Sequence, residues 1–293
     1  MMEIDRVLVL YKESNYKLRL YDTSKQYSQN DQSILSREKK RLKMEHDQHY
    51  RSLEVVKGVL ELFKVKYKLH SRANKINYNL YDCVITIGGD GTFLEAARHV
   101  KEQPIMGVNS APDFSVGKFC LTTALDFQKN LKKILSNSIK PFGLHQISGM
   151  LISSKKSINA INDFLICHQN PAALCRYIIE IGKYGEVHRS SGLWIATSAG
   201  SSGAIKSAGG RNVPIKEQAI QYKPRELYVY KAVKYKLKGA VLSGKQHIKI
   251  ISLMKDAQIY VDGAHKKVSF PYGETFVVEH SKKKIKTFVR QAQ

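Results

Sequence analysis

Acidic residues are scarce in this chain of 293. Asp and Glu number 25 against 48 Lys and Arg, a formal net charge of +23 at pH 7. Such a balance attracts polyanions, so nucleic acid, membrane phosphate and nucleotides all enter as partners to weigh. The local basic runs, Arg37-Glu38-Lys39-Lys40-Arg41 and Ser281-Lys282-Lys283-Lys284, lack interleaved aromatics. Single-strand binders stack bases on such aromatics. Both runs therefore read as a solvated face or tail, and no specific nucleic-acid partner is expected. Long apolar runs are also missing. Val84-Ile85-Thr86-Ile87 is typical of those present, far short of the ~20 residues a membrane helix needs, so no membrane partner is expected. The start, Met1-Met2-Glu3-Ile4-Asp5-Arg6, has acids and no long apolar segment. It does not read as a secretory or transit sequence, and a cytoplasmic location is expected. Cysteine is rare too. Cys83, Cys120, Cys167 and Cys175 include no pair at zinc-ligand spacing, and a disulfide framework would be unusual at this size, so they read as buried or incidental thiols. His99, His168, His188 and His265 show no metal spacing among themselves.

What is present is a globular composition, 43% apolar, long enough for one large domain or two modest ones. Val7-Leu8-Val9-Leu10-Tyr11 has strand length, residues 34–63 look helical, and residues 65–69 alternate like a second strand. Residues 82–87 are β-branched and apolar on both faces, as in a covered parallel sheet. Residues 92–100 then read as a helix and 105–108 as another strand. Strands alternating with helices predict an α/β doubly wound domain over residues 1–125. After a helical segment at 126–135 the pattern turns β-like, with strands expected at 144–153, 160–167, 176–181, 193–197, 226–230, 247–252 and 257–261. This predicts a β-rich, β-sandwich-like domain over 126–270, with a tail at about 271–293 packing back on the first domain.

Gly88-Gly89-Asp90-Gly91-Thr92 lies between the third strand and the next helix. Glycines there let backbone N–H groups approach an anion, and the helix dipole favours negative charge. Asp90 would repel that anion unless it has work of its own, such as orienting an attacking hydroxyl or holding a metal; the plainer role is a helix N-cap. No lysine of the Walker kind stands beside the loop.

The loop resembles the Gly-Gly-Asp-Gly-Thr motif of NAD kinases, shared with the diacylglycerol and sphingosine kinases and similar in 6-phosphofructokinases. Further matches narrow the resemblance to NAD kinases. Gly107-Val108-Asn109 is similar to their Gly-Val-Asn, and Ala160-Ile161-Asn162-Asp163 to their Ala-x-Asn-Glu. Ser190-Ser191-Gly192 and Thr197-Ser198-Ala199-Gly200-Ser201-Ser202 resemble the family's Ser-Asp-Gly and Thr-Pro-Thr-Gly-Ser-Thr, and Val261-Asp262-Gly263 a late Asp-Gly turn. The long segment from Gly107 to Leu121, Tyr11-Lys12 and the missing acid at Ser191 are similar to the mitochondrial-type NAD kinases of animals. With no transit sequence, a bacterial member of that branch is expected.

The resemblance implies phosphorylation of the adenosine ribose 2′-hydroxyl of NAD or NADH by ATP with Mg²⁺. Asp90 would be the catalytic residue, and Gly88, Gly89, Gly91 and Thr92 would hold ATP phosphates. Asp90, Gly91, Phe93, Asn162, Asp163, Arg176, Arg189, Ser191, Thr197, Gly200, Ser201 and Ser202 would line the NAD, Mg²⁺ would come with ATP, and no protein metal ligands are implied. Asp163 is one methylene shorter than the family's Glu, and Ser191, Ser198, Ala199 and Ser202 also depart from the pattern, which bears on NAD against NADH more than on the reaction. A homodimer or higher homo-oligomer is expected. The alternatives are a diacylglycerol- or sphingosine-type lipid kinase and a non-catalytic basic polyanion-binding protein.

Overall fold

The short apolar runs of the first half become parallel strands in the computed structural model. It describes residues 4–19, 29–72, 74–229, 234–244, 246–264 and 266–290; His265 and Tyr230 lie outside these. Strand β1 (Arg6–Tyr11) is followed by helices α1 (Asn15–Arg19) and α2 (Gln29–Leu62), and then by β2 (Lys66–Ser71). Next come β3 (Cys83–Gly88), α3 (Asp90–Ala97), β4 (Ile105–Asn109), β5 (Cys120–Thr123) and α4 (Phe127–Leu135). The strand order is β2-β1-β3-β4, with every neighbour parallel, and β5 also pairs with β4. All six residues of β3 are buried, as befits a strand covered on both faces. The chain leaves β1 toward β2 on one side and returns to lay β3 on the other. A reversal of this kind opens a crevice at the carboxyl ends of the strands.

Helix α2 faces the sheet through Leu42, Glu45, His49, Leu53, Val56 and Leu60, all buried and three or four residues apart, which is one face of a helix. His49 is fully buried within this stripe. Its Nε2 lies 2.9 Å from the Lys12 carbonyl and its Nδ1 2.7 Å from Ser110 Oγ. A carbonyl can only accept, so Nε2 carries the proton and Nδ1 accepts from the Ser110 hydroxyl. Burial, with Lys12 nearby, pushes the imidazole down to about 4.

Two compact units result, Met1–Gly143 with Ile285–Gln293, and Leu144–Lys284. The first runs past the expected junction at 125/126 because α4 belongs to it: Phe127, Leu131 and Ile134 share a core with Val9, Ile85, Val108 and Phe288.

The second unit is built from antiparallel strands. They are β6 (Phe142–Leu151, which begins in the first unit), β7 (Lys156–Ala160), β8 (Asp163–His168), β9 (Cys175–Ile181), β10 (Tyr184–Ser190) and β11 (Gly192–Thr197). The short helix α5 (Ala204–Ser207) leads to β12 (Ala219–Arg225), β13 (Ala240–Ser243), β14 (Ile248–Ser252), β15 (Ala257–Val261), β16 (Lys266–Ser269) and β17 (Thr275–Phe288). One sheet is ordered β13-β12-β11-β8-β15-β16, and within this unit another runs β10-β9-β14-β17 with β6 and β7 added at β17. Their inner faces share one apolar core, in which Phe164 of the first sheet meets Phe276 of the second edge-on at 5.2 Å. A Cβ on Gly149 would collide with the Phe276 ring, so that strand must approach bare.

Two expectations need correction. The strand expected at 226–230 is β12, earlier at Ala219–Arg225; Pro224 inside it disguises it, because proline removes a ladder donor. The basic run at Ser281–Lys284, expected as a solvated face or tail, is a solvated face, and the tail expected at about 271–293 is mostly strand. It lies within β17, with Lys282, Lys283 and Lys284 exposed between buried Ser281 and Ile285. Of the expected returning tail, residues from Ile285 onward belong to the first unit, where Thr287 and Phe288 pair parallel with β4. The four cysteines form no disulfide, and burial raises the thiols of Cys83 and Cys120 to about 12.

Candidate active site

In the first unit, the phosphate loop leaves β3 at Gly88 and enters α3 at Asp90. Gly89 is the helix N-cap, in an extended conformation and without a side-chain cap. The Thr92 and Phe93 N–H groups close on the Gly89 carbonyl at 3.0 and 3.4 Å. A Cβ at Gly88 would collide with the Thr92 side chain, whose buried hydroxyl oxygen has no hydrogen-bond partner. Gly91 is open: a Cβ there would meet only Arg72 Nη1, at 3.9 Å.

Asp90 is held by a loop that the Gly-Val-Asn motif builds. Asn109 Nδ2 donates to the Ser115 carbonyl at 2.8 Å, and Asn109 Oδ1 accepts from Ser115 Oγ at 2.8 Å and from the Ala111 N–H at 3.3 Å. The loop passes Gly117, with φ of +59° and no room for a side chain beside Asn109, and delivers the Phe119 N–H to Asp90 Oδ1 at 2.8 Å. Oδ2 has no partner among the described residues. One carboxylate oxygen is therefore fixed while the other remains available to a hydroxyl. Phe93, expected at NAD, is fully buried and stacks on Phe119 with centroids 4.9 Å apart. It supports the residue that orients Asp90.

The second unit holds another constellation. Asp262, in the left-handed region at φ 49°, turns its carboxylate onto the N–H groups of Ile161, Asn162 and Asp163. Thr197 Oγ1 donates to the Ile161 carbonyl at 2.7 Å and accepts from the Gly200 N–H at 3.0 Å. A Cβ on Gly200 would collide with the Asn162 carbonyl. Asn162 Nδ2 reaches Asp163 Oδ2 at 3.2 Å, and beyond them a Cβ on Gly203 would lie 3.4 Å from Asn162 Nδ2. Asp163 is 4% exposed. Burial first, and the neighbouring Asp262 carboxylate second, raise its carboxyl to about 7. This pair is thus braced from below by Asp262 and from the side by Thr197.

Other expected residues fall differently. The Ser201 hydroxyl donates to the Ser198 carbonyl at 2.7 Å and accepts from the Val213 N–H at 2.8 Å, so it ties the turn together. Ser202 is exposed and Ser191 half-buried. Arg176 of β9 and Arg189 of β10 are direct cross-strand partners. Two contributions escape sequence inspection. Asp262 shows in the sequence only as a turn, and its three accepted bonds join positions about 100 residues apart. Arg72 follows β2 directly, and inspecting the carboxyl end of each parallel strand would have found it.

Residues 10–139 match the family described as ATP-NAD kinase N-terminal domain. A probable NADH kinase of Oryza sativa subsp. japonica is 33% identical over 254 residues, 78% of this chain and 78% of its own. An NADH kinase of Arabidopsis thaliana is 28% identical over 255 residues, 78% of this chain and 80% of its own. Two solved structures share the fold. An NAD kinase from Archaeoglobus fulgidus in complex with ATP gives a TM-score of 0.69 at 21% identity, over 98% of this chain and 94% of that one. Yeast NADH kinase complexed with NADH gives 0.68 at 16% identity, over 99% and 84%. With the motifs in order and a third of the aligned residues shared with the Oryza sativa protein over most of both chains, this chain belongs to the NAD kinase family.

Proposed function

We propose that this protein transfers the γ-phosphoryl group of ATP to the 2′-hydroxyl of the adenosine ribose of NAD or NADH, releasing ADP and NADP(H). The observation that carries the reading is Asp90, with Oδ1 held by the Phe119 N–H at 2.8 Å and Oδ2 open beside a turn of backbone donors. In a loose phosphoryl-transfer transition state such an acid orients the nucleophile and takes its proton late. The 2′-oxygen forms its bond to the γ-phosphorus, the bond from that phosphorus to the β–γ bridging oxygen breaks, and the hydroxyl proton passes to Asp90. Gly88, Gly89, Gly91 and Thr92 form the turn that holds ATP phosphates, through backbone N–H groups of the glycines and the positive end of α3; the Thr92 N–H is taken by the Gly89 carbonyl, so Thr92 contributes its unpartnered hydroxyl.

Asn162 and the Asp163 carboxylate hydrogen-bond the NAD hydroxyls, a common solution for dinucleotides. Thr197 and Gly200 keep that pair in place, and Arg176, Arg189, Ser191, Ser201 and Ser202 complete the NAD side. Among the described residues no group of three or more His, Cys, Asp or Glu is arranged to hold a metal ion, and a single open carboxylate oxygen fits a metal that arrives on the nucleotide. Mg²⁺ arriving with ATP would supply neutralisation of the charge on the transferring phosphoryl group. The names of the two plant relatives favour testing NADH beside NAD. No helix among the described residues is long and apolar enough to cross a membrane. The proposal includes a cytoplasmic location and, on the strength of the family resemblance, a homodimer or larger homo-oligomer.

Incubating purified protein and Mg-ATP with NAD and with NADH, and repeating the assay with polyphosphate as donor, tests the proposal. Formation of NADP or NADPH is expected; neither product with any donor would overturn it.

A further inference from the structure

The carboxyl ends of the first unit's parallel strands offer two cations, and the structure treats them differently. Lys12, just after β1, has its ammonium 2.8 Å from Glu45 Oε1 and both side chains largely shielded. Its charge is already matched. Arg72, just after β2, is exposed and has no ion-pair partner among the described residues. Its backbone is fixed, because the Arg72 N–H donates to the Tyr11 carbonyl at 2.9 Å and so extends the β1–β2 ladder by one rung. Its guanidinium lies beside Gly91, with Nη1 3.9 Å from where a Cβ would stand, and nothing else is that close to this position. The same loop contains Thr92, 1% exposed, whose hydroxyl oxygen has no hydrogen-bond partner. An oriented cation, exposed backbone at a helix start and an unsatisfied buried hydroxyl gather at one switch point, and the loop has no lysine of its own.

We propose that Arg72 is a phosphate-binding residue, closing on a nucleotide phosphoryl oxyanion seated at Gly91. The proposal rests on the kinase reading above and adds to it the cation that the loop lacks. A guanidinium presents paired N–H donors that match two phosphate oxygens, which an ammonium does not. The oxyanion belongs either to the triphosphate of the donor or to the pyrophosphate of the dinucleotide, and kinetics separate the two.

Calorimetric titration of the whole protein with inorganic tripolyphosphate tests the site directly, comparing wild type, Arg72→Gln and Arg72→Lys. Loss of one charge-assisted contact is expected to weaken binding by about ten- to hundredfold in Arg72→Gln, with partial recovery in Arg72→Lys. In steady-state assays a fall of similar size in kcat/KM for ATP at saturating NAD assigns the contact to the donor. A rise in KM for NAD at saturating ATP assigns it to the dinucleotide. Arg72→Gln indistinguishable from wild type in tripolyphosphate affinity and in both kinetic constants overturns the proposal, even if wild type makes NADP. Arg72-dependent tripolyphosphate binding by a protein that makes no NADP would sustain this site while removing the kinase reading.

Discussion

The carboxylate of Asp262 accepts the backbone N–H of Asn162 at 2.6 Å, and those of Ile161 and Asp163 at 3.1 and 3.2 Å. Three consecutive donors thus converge on one side chain that is 7% exposed. Asp262→Ala leaves them buried without an acceptor, at about 1–3 kcal/mol for each unsatisfied group. Denaturant unfolding should show a loss of at least about 3 kcal/mol. Asp262→Asn keeps one acceptor oxygen and tolerates the left-handed backbone, so it should lose less. Equal stability of Asp262→Ala and wild type would show that this brace is not structural.

Asp90→Asn keeps the shape of the side chain and can still accept from the Phe119 N–H, but it cannot take a proton. Turnover should fall by between about a hundredfold and ten-thousandfold, while circular dichroism and ATP binding stay close to wild type. A variant that retains most of its kcat would exclude Asp90 as the base.

Gly200→Ala drives a methyl group into the Asn162 carbonyl, and main chain cannot step aside as a flexible side chain can. A stability loss of about 1–3 kcal/mol is expected. The Michaelis constant for NAD should rise more than that for ATP, because the displaced segment carries Asn162 and Asp163. Substrate titrations on one enzyme preparation check the split.

Asp163 makes pH a probe. Its carboxyl titrates at about 7 in the folded protein, against ~4 when unfolded. The folded state therefore binds this proton more tightly. The stability it confers is fully present below pH ~4 and is lost as pH rises through about 7. Dinucleotide binding should run the other way, since the charged form is the better acceptor for ribose hydroxyls. KM for NAD should fall between pH 6 and pH 8, by about an order of magnitude at most, and Asp163→Asn should flatten that dependence. An unchanged profile in the variant would assign it to another group.

The sequence made some of this legible because the signals were local. Strand, glycines and helix start lie side by side around Gly88–Thr92, so the loop could be read without knowing the fold. The unbroken β-branched run before it likewise announced a buried parallel strand. Contacts made by chain reversal were not legible. Arg72 meets Gly91 only because β1 and β2 carry it to the same edge of the sheet. His49 looks like one more polar residue in a charged helix until its bonds to Lys12 and Ser110 are seen. Phe93 read as a ligand contact because it follows the motif, but the first turn of α3 points it into the core against Phe119. β17 hid behind six consecutive polar residues, Glu279 to Lys284, since a strand with one solvated stretch looks like a tail.

Strand β4 has to wait for that same β17. Thr287 Oγ1 donates to the Ile105 carbonyl across 182 residues of sequence, and Phe288 enters the core built on Val9, Ile85 and Val108. On a ribosome that delivers the chain from its N-terminus, residues 4–143 emerge with the phosphate loop already written but with part of β4 unpaired and a hole where Phe288 belongs. An open strand edge of that kind invites pairing with other chains. The nascent protein is therefore most prone to self-association throughout the synthesis of the entire second unit, and that exposure ends only when its last strand returns to the first.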